Sequence, residues 1–579
     1  MEKLLLSKKK LIFAQIVEGE NRFVVSPLKR PKKFTGHGIL WSISEEESKC
    51  FETNGDYYFC EEEDSISVTF EKDYTCREFS GCPNCDFCGN AFEFSVGGDK
   101  SFQNAVSKFY WKSLLPECAE KSLVQKRRKW KDGYVLSTLK LSKYAGTYPA
   151  VDHEFHIRGR MAIGGEAERS TIKRMMLLQI RTMKADYSGR NRIPCSVQPN
   201  GIREYHVTRR SLDRSVKARM FPLTGIIELC GEVYNYYCLT KDKKFIEENI
   251  IYIEKGLEYL EKRTDKSGRL WSDVYYEDQV MKSGAAAQAQ AFAANSLYLM
   301  SRLETLLGRK DKAEHYSGLS KRLKENYIQP VPLGYWNSET KSYADWIDKS
   351  GKAHDHIHLL SNALSVTYGM NDEKRNEEVN SLIRANDNIF QKFPSFVAAK
   401  IEDYTDSEIG SGGPYDLCAA GRYWCHDAKY RRATGDGETI KKQLEAVYNQ
   451  AVADNFEMGE RYDMNHVYYN SGKDALKNWH GSPLYYEYPN VFADVLVHDY
   501  FGLLPDEEAD LLISPCCNEN FRISMESFGV CCEYKNRTFA VTNISKENRD
   551  LKIDLSRLVG KSLKKRVNLS AGESLNLDL

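Results

Sequence analysis

The chain has 579 residues, which at roughly 150 residues per domain is enough for several domains or for one large helical array. Its 82 Lys and Arg balance its 82 Asp and Glu, so there is no surplus of positive charge to follow a phosphate backbone, and we expect no nucleic-acid partner. No apolar run approaches the roughly 18 residues needed to span a bilayer, so we expect a globular protein with no membrane partner.

The first apolar run, 4–6, is ended by the basic triplet 8–10 and is too short for the core of a signal peptide. The 16 cysteines show no framework spacing, which is typical of reduced thiols and favours a cytoplasmic location. One cluster stands out, formed by Cys76, Cys82, Cys85 and Cys88. Four thiolates suffice for a structural zinc, but three of them share one short run, so we favour a thiol-rich loop over a zinc site.

The periodicity of apolar residues divides the chain into three regions. Residues 1–105 contain short apolar runs broken by Gly, Asn and Asp, which predicts strands and turns. Residues 512–579 show the same pattern. Residues 106–511 change to a helical period, so we predict a β-rich N-terminal domain, a large helical domain and a small β-rich C-terminal domain.

The helical period is clearest in one stripe, which consists of Ile246, Ile250, Ile253, Leu257 and Leu260. Alternating spacings of four and three place these side chains on one face of a helix. Similar stripes precede and follow it, so the middle region is predicted to be a series of amphipathic helices.

Short turns between these helices each carry an aspartate where the next helix needs an N-cap, at Asp242, Asp311, Asp372 and Asp436. The turns are 69, 61 and 64 residues apart. This period has the size of a helix, a tight turn, a second helix and a long return loop.

The return loops are long and rich in aromatic, His, Gly and acidic residues. If the helices alternate in direction, all of these loops emerge on one side, where we expect the functional site. About six hairpins of this period account for the middle region, so we predict a mainly α (α/α)6 toroid, with an open solenoid as the alternative.

Two short motifs lie in these loops. The segment 268–274 places Trp271 two residues before Asp273, ahead of a helix that starts near Gly284. The segment 458–463 contains Glu460 and Asp463 ahead of the last hairpin. This arrangement resembles the six-hairpin glycosidase superfamily, which includes glucoamylases, trehalases, α-L-rhamnosidases and disaccharide phosphorylases. The resemblance implies carbohydrate chemistry without naming the sugar.

Cleavage of a glycosidic bond needs one carboxylic acid to protonate the leaving oxygen and one carboxylate to activate water or attack carbon. By resemblance to inverting members, Asp273 is expected to be the general acid and Glu460 the general base, with their carboxyl groups about 6.5–9.5 Å apart. Glu277 and Asp278 are alternatives for the acid, and Asp463 is the alternative for Glu460.

A sugar site combines carboxylates, cations and aromatic faces, and the long loops supply such residues. The predicted substrate-binding residues are Gln198, Arg203, Trp271, Trp336, Asp345, Trp346, His356, Glu408, Tyr415, Trp479 and His480.

Three histidines alternate in the segment 354–358, a spacing that can gather imidazoles around a metal if the chain is extended. The segment runs directly into a helical stretch, in which alternate residues splay apart. We therefore predict hydrogen-bonding histidines at the rim of the site and no metal ion. No phosphate-binding Gly-rich loop followed by Lys and Ser or Thr is present, and we expect no cofactor.

These inferences predict a glycoside hydrolase that acts on an oligosaccharide or glycoside. Two other kinds of protein remain open. One is a different toroid enzyme, such as a disaccharide phosphorylase, a sugar epimerase or an unsaturated-uronide hydrolase. The other is a non-catalytic carbohydrate-binding protein that uses the same aromatic loops.

Overall fold

The computed structural model of the chain describes residues 3–7, 10–16, 22–25, 33–43, 47–80, 92–114, 118–119, 134–135, 152–197, 202–277, 279–411, 413, 417–462 and 485–579. Over the described residues, its helices lie mainly in the middle and its strands mainly at the two ends, as predicted.

The N-terminal region forms an antiparallel sheet, whose described strands are Lys3–Ser7, Leu11–Ile16, Arg22–Val25, Lys33–Ile43, Glu47–Glu61, Ser65–Phe70 and Tyr74–Ser80. The long strand Glu47–Glu61 pairs with three neighbours and is the centre of the sheet. Its side chains alternate, because Tyr57 and Phe59 are buried while Tyr58 between them is exposed. One face of this sheet therefore covers a small apolar core of its own.

Six helices form an inner ring: His153–Ile163, Thr224–Thr240, Ala287–Leu306, Leu359–Thr367, Gly421–Thr434 and Glu487–Asp494. Each inner helix packs against the next one along the chain. The outer helices are Glu166–Lys184, Lys243–Glu261, Lys310–Tyr327, Glu373–Ala385, Gly437–Ala453 and Ser101–Phe109, the last of which packs beside the final inner helix. The inner helices are buried on most sides, whereas the outer ones keep an exposed polar face.

The ring closes, because the last inner helix packs against the first. Gly159 makes this contact possible: a Cβ at this position would lie 2.5 Å from the backbone oxygen of Asn490 on the last helix. The predicted (α/α)6 toroid is confirmed, and the open solenoid is wrong.

Three of the four predicted N-caps are confirmed. The carboxylates of Asp242, Asp372 and Asp436 each accept a hydrogen bond from the backbone N–H three residues later. Asp311 is not a cap, because the outer helix begins earlier and Arg309 occupies its N-cap position.

The C-terminal region consists of two sheets. One contains Leu503–Pro505, Leu511–Ile513, Arg549–Asp554 and Lys564–Leu569. The other contains Phe521–Met525, Val530–Lys535, Thr538–Asn543, Ser574–Asp578 and the earlier strand Phe92–Val96. The short helix Ser556–Val559 lies between two of these strands along the chain. Because Phe92–Val96 pairs with Phe521–Met525, residues from the N-terminal part of the chain belong to the C-terminal sheet.

The predicted domain limits stay a prediction, but two elements cross them. The helix Ser101–Phe109 spans the limit between 105 and 106, and the strand Leu511–Ile513 spans the limit between 511 and 512.

Short elements occupy the long loops: the strands Cys118–Ala119, Tyr134–Val135, Ser196–Val197, Arg203–Glu204, Val207–Arg210, Lys217–Met220, Gly284–Ala286, Trp336–Asn337, Ser342–Tyr343, Trp346–Asp348, Ala353–His354, Ala419–Ala420 and Arg461–Tyr462, the helix Asp387–Phe390 and the 3-10 turn Ile401–Asp403. Two π-helical segments, Tyr110–Leu114 and Val495–Tyr500, extend the helices before them. Every inner helix begins after a long connection from an outer helix, so the N-termini of the inner helices and the long loops share one end of the ring.

Within the described residues, no helix is both long and apolar enough to cross a membrane. Cys76 is exposed on the strand Tyr74–Ser80. Its cluster partners Cys82, Cys85 and Cys88 lie outside the described residues, so the thiol-rich loop stays a prediction.

Candidate functional site

The loop 271–284 crosses the end of the ring at which the inner helices begin. The Thr224 hydroxyl donates to the carbonyl oxygen of Tyr275 (3.0 Å), and Arg422 donates to that of Tyr276 (3.2 Å). The Tyr276 hydroxyl reaches into the ring and donates to the Glu154 carboxylate at 2.8 Å. The first turns of three different inner helices therefore hold this loop in place.

Asp273 is buried in this loop, with a positive φ of 52°. Its Oδ1 accepts a hydrogen bond from the backbone N–H of Gly284 (2.9 Å) and lies 3.5 Å from the ammonium group of Lys349. Its Oδ2 lies 3.4 Å from the N–H of Arg219. These contacts show that the Asp273 carboxylate also fixes the backbone of the loop.

A fully buried set of charges surrounds Glu277. Its Oε1 accepts from Gln288 (2.6 Å) and Lys282 (2.8 Å) and lies 2.9 Å from Nε2 of His358. Lys282 also donates to Asp345 at 2.8 Å. We call Glu277, Lys282, Gln288, Asp345 and His358 the Glu277 network.

Burial by itself raises the pKa of Glu277, but the nearby Lys282 ammonium group and the His358 imidazole together lower that pKa well below the ordinary value. Glu277 is therefore ionised at neutral pH. The Oε2 atom is buried and has no hydrogen-bond partner among the described residues.

A second buried set of charges lies beside the first. Arg422 donates to Glu487 (2.9 Å from Nε) and lies 3.3 Å from Asp152, while Arg461 lies 3.5 Å from Glu487. Burial raises the pKa of Asp152 to about 6, although Arg422 acts in the opposite direction. We call Asp152, Arg422, Arg461 and Glu487 the Glu487 network.

Glu460 borders this second network. Its carboxylate is half-buried and lies 3.3 Å from the guanidinium group of Arg461. Burial raises the pKa of Tyr485, and the charge of Glu460 raises it further. Glu460 thus lies among the buried charges at the start of the last inner helix, and its pairing with Arg461 is the simple structural role that such a glutamate can have.

Arg422 links the Glu487 network to the loop that carries Glu277. Arg422 contacts the carbonyl oxygen of Tyr276, next to Glu277, and the carboxylate of Glu487. Ring closure therefore brings the loop 271–284 and the segment around Glu460 to the same end of the molecule, 187 positions apart in sequence. The 6.5–9.5 Å separation expected for Asp273 and Glu460 stays a prediction.

The other predicted binding residues occupy different surroundings. Asp345 belongs to the Glu277 network. Trp346 is buried, with one face covered by the stacked ring of His354 (centroids 4.0 Å apart). Trp336 is also buried and packs edge-on against Tyr343. These two indoles are therefore parts of the loop core.

Two predicted residues have polar contacts outside the networks. The indole N–H of Trp271 donates to Asp265 at 3.1 Å, within the turn that precedes the loop. Arg203 donates to the carbonyl oxygen of Ala185 at 3.3 Å, on the strand Arg203–Glu204. The remaining predicted site residues lie outside the described residues: Gln198, Asp278, Tyr415, Asp463, Trp479 and His480.

The prediction that the histidines of 354–358 splay apart is wrong. Ala353–His354 is a strand, and the helix begins only at Leu359, so the segment is extended. Side chains two positions apart then point the same way, and both His354 and His356 contact Glu408. His358 instead points to Glu277.

Sequence reasoning missed Asp152, Lys282, Gln288, Arg422, Arg461 and Glu487, and it named His358 only as one of the hydrogen-bonding histidines at the rim of the site. Four of these lie at helix starts: Asp152 and His358 are N-cap residues, Arg422 is the second residue of its helix, and Glu487 is the first. The sequence feature that could have identified these four residues is a charged or imidazole side chain at the start of an otherwise apolar inner helix.

A scan against protein-family models and a search of curated protein sequences found no match. Solved structures do match. One is a GH78 family rhamnosidase of Bacillus sp. GL1, with 11% identity and a TM-score of 0.52. The match covers 93% of this chain and 48% of that protein. The α-L-rhamnosidase of Streptomyces avermitilis, solved with L-rhamnose, has 13% identity and a TM-score of 0.53. This match covers 99% of our chain and 50% of the rhamnosidase chain.

The α-L-rhamnosidase of Dictyoglumus thermophilum has 11% identity and a TM-score of 0.53, over 98% of this chain and 63% of its own. This chain thus spans about half to under two thirds of the length of these enzymes. At such low identity the likeness establishes the fold: an (α/α)6 toroid with β-rich regions, of the kind found in six-hairpin rhamnosidases.

Proposed function

We propose that this protein is a glycoside hydrolase that inverts the anomeric centre, with its site at the end of the ring where the inner helices begin. One observation carries the proposal. Arg422 donates to the carbonyl oxygen of Tyr276 in the loop 271–284 and to Glu487, and Glu487 pairs in turn with Arg461, which lies beside Glu460. The similar fold of known rhamnosidases supports a sugar as the substrate.

In the proposed reaction, an acid of the loop 273–278 donates its proton to the glycosidic oxygen as the bond to the anomeric carbon breaks. Glu460 takes a proton from the water whose oxygen attacks that carbon from the opposite face. Asp273 is the proposed acid, with Glu277 and Asp278 as alternatives. Asp463 is the alternative base.

The contacts of the Glu277 network bear on the role of Glu277 in the proposed reaction. A carboxylate that Lys282 and His358 keep ionised is poorly suited to donate a proton. It is suited to stabilise the positive charge that develops on the sugar ring in the transition state. Its contacts thus favour an electrostatic role for Glu277 over the role of general acid.

The test is a screen of aryl glycosides with the purified full chain, followed by NMR of the anomer released first. Asp273→Asn and Glu460→Gln are each expected to lower kcat by about 10²–10⁴-fold, because each removes a proton-transfer step. Glu277→Gln is expected to lower kcat without removing the alkaline limb of the pH profile, which a general acid would produce. The control is Glu325→Gln on the outer helix Lys310–Tyr327, where the carboxylate is exposed.

Wild-type turnover in both Asp273→Asn and Glu460→Gln would remove the assignment of the two roles. Release of the product with retained anomeric configuration would exclude inversion. Turnover that depends on added phosphate would identify a phosphorylase, and sugar binding unaffected by the substitutions, with no turnover of any glycoside, would identify a carbohydrate-binding protein.

A further inference from the structure

Three possible metal ligands from two loops converge beside the Glu277 network. They are Nδ1 of His354, Nε2 of His356 and a carboxylate oxygen of Glu408, and all three lie within 4.8 Å of one another. Both imidazole nitrogens face the same oxygen of Glu408, at 2.5 and 3.2 Å. We call this set the His354 cluster.

Aromatic packing holds both imidazole rings in place. The ring of His354 stacks on Trp346 at 4.0 Å with an interplanar angle of 9°, and that of His356 stacks on Tyr404 at 3.8 Å and 14°. Both histidines are largely buried, as is Glu408. The loss of side-chain entropy on binding an ion is therefore small, because the rings are already ordered.

The groups behind the cluster are those that orient metal ligands. The second nitrogen of His354 lies 3.3 Å from Asp348, and the second oxygen of Glu408 accepts from the N–H (2.8 Å) and hydroxyl (2.9 Å) of Thr405. Ligating histidines commonly donate their other N–H to a carboxylate in this way.

The two contacts of His354 have a chemical consequence. Asp348 and Glu408 lie at opposite ring nitrogens of His354. With a metal ion on Nδ1, the neutral ring would donate its Nε2–H to Asp348. The two carboxylates would then balance a charge of +2.

We propose that the His354 cluster binds one divalent transition-metal ion of the zinc type, with His354, His356 and Glu408 as ligands. Two imidazoles and one carboxylate suit such ions, whereas calcium and magnesium prefer oxygen ligands alone. Bonds of roughly 2.0–2.1 Å in a tetrahedral site place ligand atoms about 3.3 Å apart. Nε2 of His356 already lies 3.2 Å from the Glu408 oxygen. Nδ1 of His354 lies 2.5 Å from it and would have to move away by less than about 1 Å. The fourth position is left for water.

The ion would join loops that flank the proposed sugar site. Tyr404, which stacks on His356, donates to Asp345 of the Glu277 network (3.2 Å). The carbonyl oxygen of Glu408 accepts from the N–H of Met281 in the loop 271–284 at 2.7 Å. Metal binding is nevertheless measurable by itself and does not rest on the proposed hydrolase activity.

The experiment uses the full chain after treatment with a chelator and measures Zn²⁺ by equilibrium dialysis and Co²⁺ by visible absorption. One ion per chain is expected at this site, with the intense d–d bands of four-coordinate cobalt and no thiolate charge-transfer band. His356→Ala and Glu408→Gln should each weaken binding by more than about 100-fold. Asp348→Asn, which removes only the orienting carboxylate, should weaken it by about 10–100-fold.

The matched control is His315→Ala, since His315 is an exposed imidazole paired with Glu261 at 3.1 Å, and this variant should bind as the wild type does. The cysteine cluster is tested separately with Cys82→Ser and Cys85→Ser, which should leave the His-dependent ion in place. Near-UV circular dichroism of the metal-free proteins checks the fold of each variant. Should His356→Ala be misfolded, the metal affinity of Glu408→Gln is the deciding measurement. No uptake of Co²⁺ by the wild type, or unchanged uptake in both ligand variants, would overturn the proposal.

Discussion

Buried carboxylates within the ring differ in their charge state, because their neighbours differ. Glu277 has two cationic or potentially cationic neighbours, and its pKa is lowered. Glu232, on the inner helix Thr224–Thr240, accepts one hydrogen bond from Gln179 at 2.9 Å. Burial raises the pKa of Glu232 to about 8, and Glu154 adds to the effect. The same residue type is therefore a charged group at one place and a neutral acid at the other.

The raised pKa of Glu232 has a direct effect on stability. Because the folded state binds this proton more tightly than the unfolded state, whose pKa is near 4.5, the free energy of unfolding falls as the pH rises from about 4.5 to about 8. Glu232→Gln keeps the shape and an acceptor for Gln179 but removes the titration. We expect this variant to melt roughly 1–3 °C higher than the wild type at pH 8 and at the same temperature at pH 4.

Calorimetry at both pH values checks this, with Glu325→Gln as the exposed control. A lower melting temperature of Glu232→Gln at pH 8 would mean that the buried carboxylate is charged and stabilising.

At the scale of the elements, the short turns between the two helices of each hairpin depend on local hydrogen bonds. The carboxylate of Asp372 satisfies the N–H of Arg375 (2.8 Å), which otherwise has no partner in the helix. Asp311 provides a matched comparison, because it lies in the first turn of Lys310–Tyr327 but is not its N-cap.

We predict that Asp372→Ala destabilises the helix Glu373–Ala385 by about 1 kcal/mol, as loss of an N-cap does. Asp311→Ala should cost only a few tenths of that amount, since it removes a favourable charge near the helix dipole and no hydrogen bond. Local hydrogen exchange of the first-turn amides is the suitable measurement, because chains of this size generally unfold in more than one step. Equal effects of the two substitutions would contradict the distinction.

The helices themselves followed from the sequence for the same local reason. Ile246, Ile250 and Leu257 are buried in Lys243–Glu261 as the four-and-three spacing predicted. The extended path of 354–358 was not predictable in this way. It depends on pairing of Ala353–His354 with Trp346–Asp348, which periodicity within a single segment does not reveal.

For the whole molecule, closure of the ring is the property on which the proposed site depends. The helix His153–Ile163 and the helix Glu487–Asp494 touch at Gly159, where a Cβ would lie 2.5 Å from the backbone of Asn490. A Cβ at position 159 would force the two helices apart, because the nearest atoms that it meets are backbone atoms of Asn490 and not the end of a flexible side chain.

Gly159→Ala is therefore expected to destabilise the protein by several kcal/mol and to lower any glycosidase activity, despite the better helix propensity of Ala. The control is Gly318→Ala on an outer helix, where nothing lies within 4 Å of the added Cβ. That variant should be about 0.5–1 kcal/mol more stable. Thermal unfolding and limited proteolysis of the two variants compare them, and equal stability would show that the ring tolerates separation at this contact.

The sequence indicated which long loops gather at the end of the ring where the inner helices begin, but not which side chains contact one another there. Asp345, Glu408 and Glu277 lie in buried networks at the expected end of the ring. Trp346 was predicted as a platform for sugar, and its face is covered by His354. A single sequence shows which residues share a loop, but it does not show which side chains from another loop reach them.

Helix period, N-cap aspartates and the spacing of the hairpins are local properties of the sequence, and they predict the repeating helical architecture. The closed ring confirmed it. The tertiary structure decided three contacts at the site: Tyr276 with Arg422, Glu277 with His358, and His354 with Glu408. Each of these pairs joins residues 54 to 146 positions apart, and such contacts depend on how loops pack against one another, which neither residue type nor spacing encodes by itself.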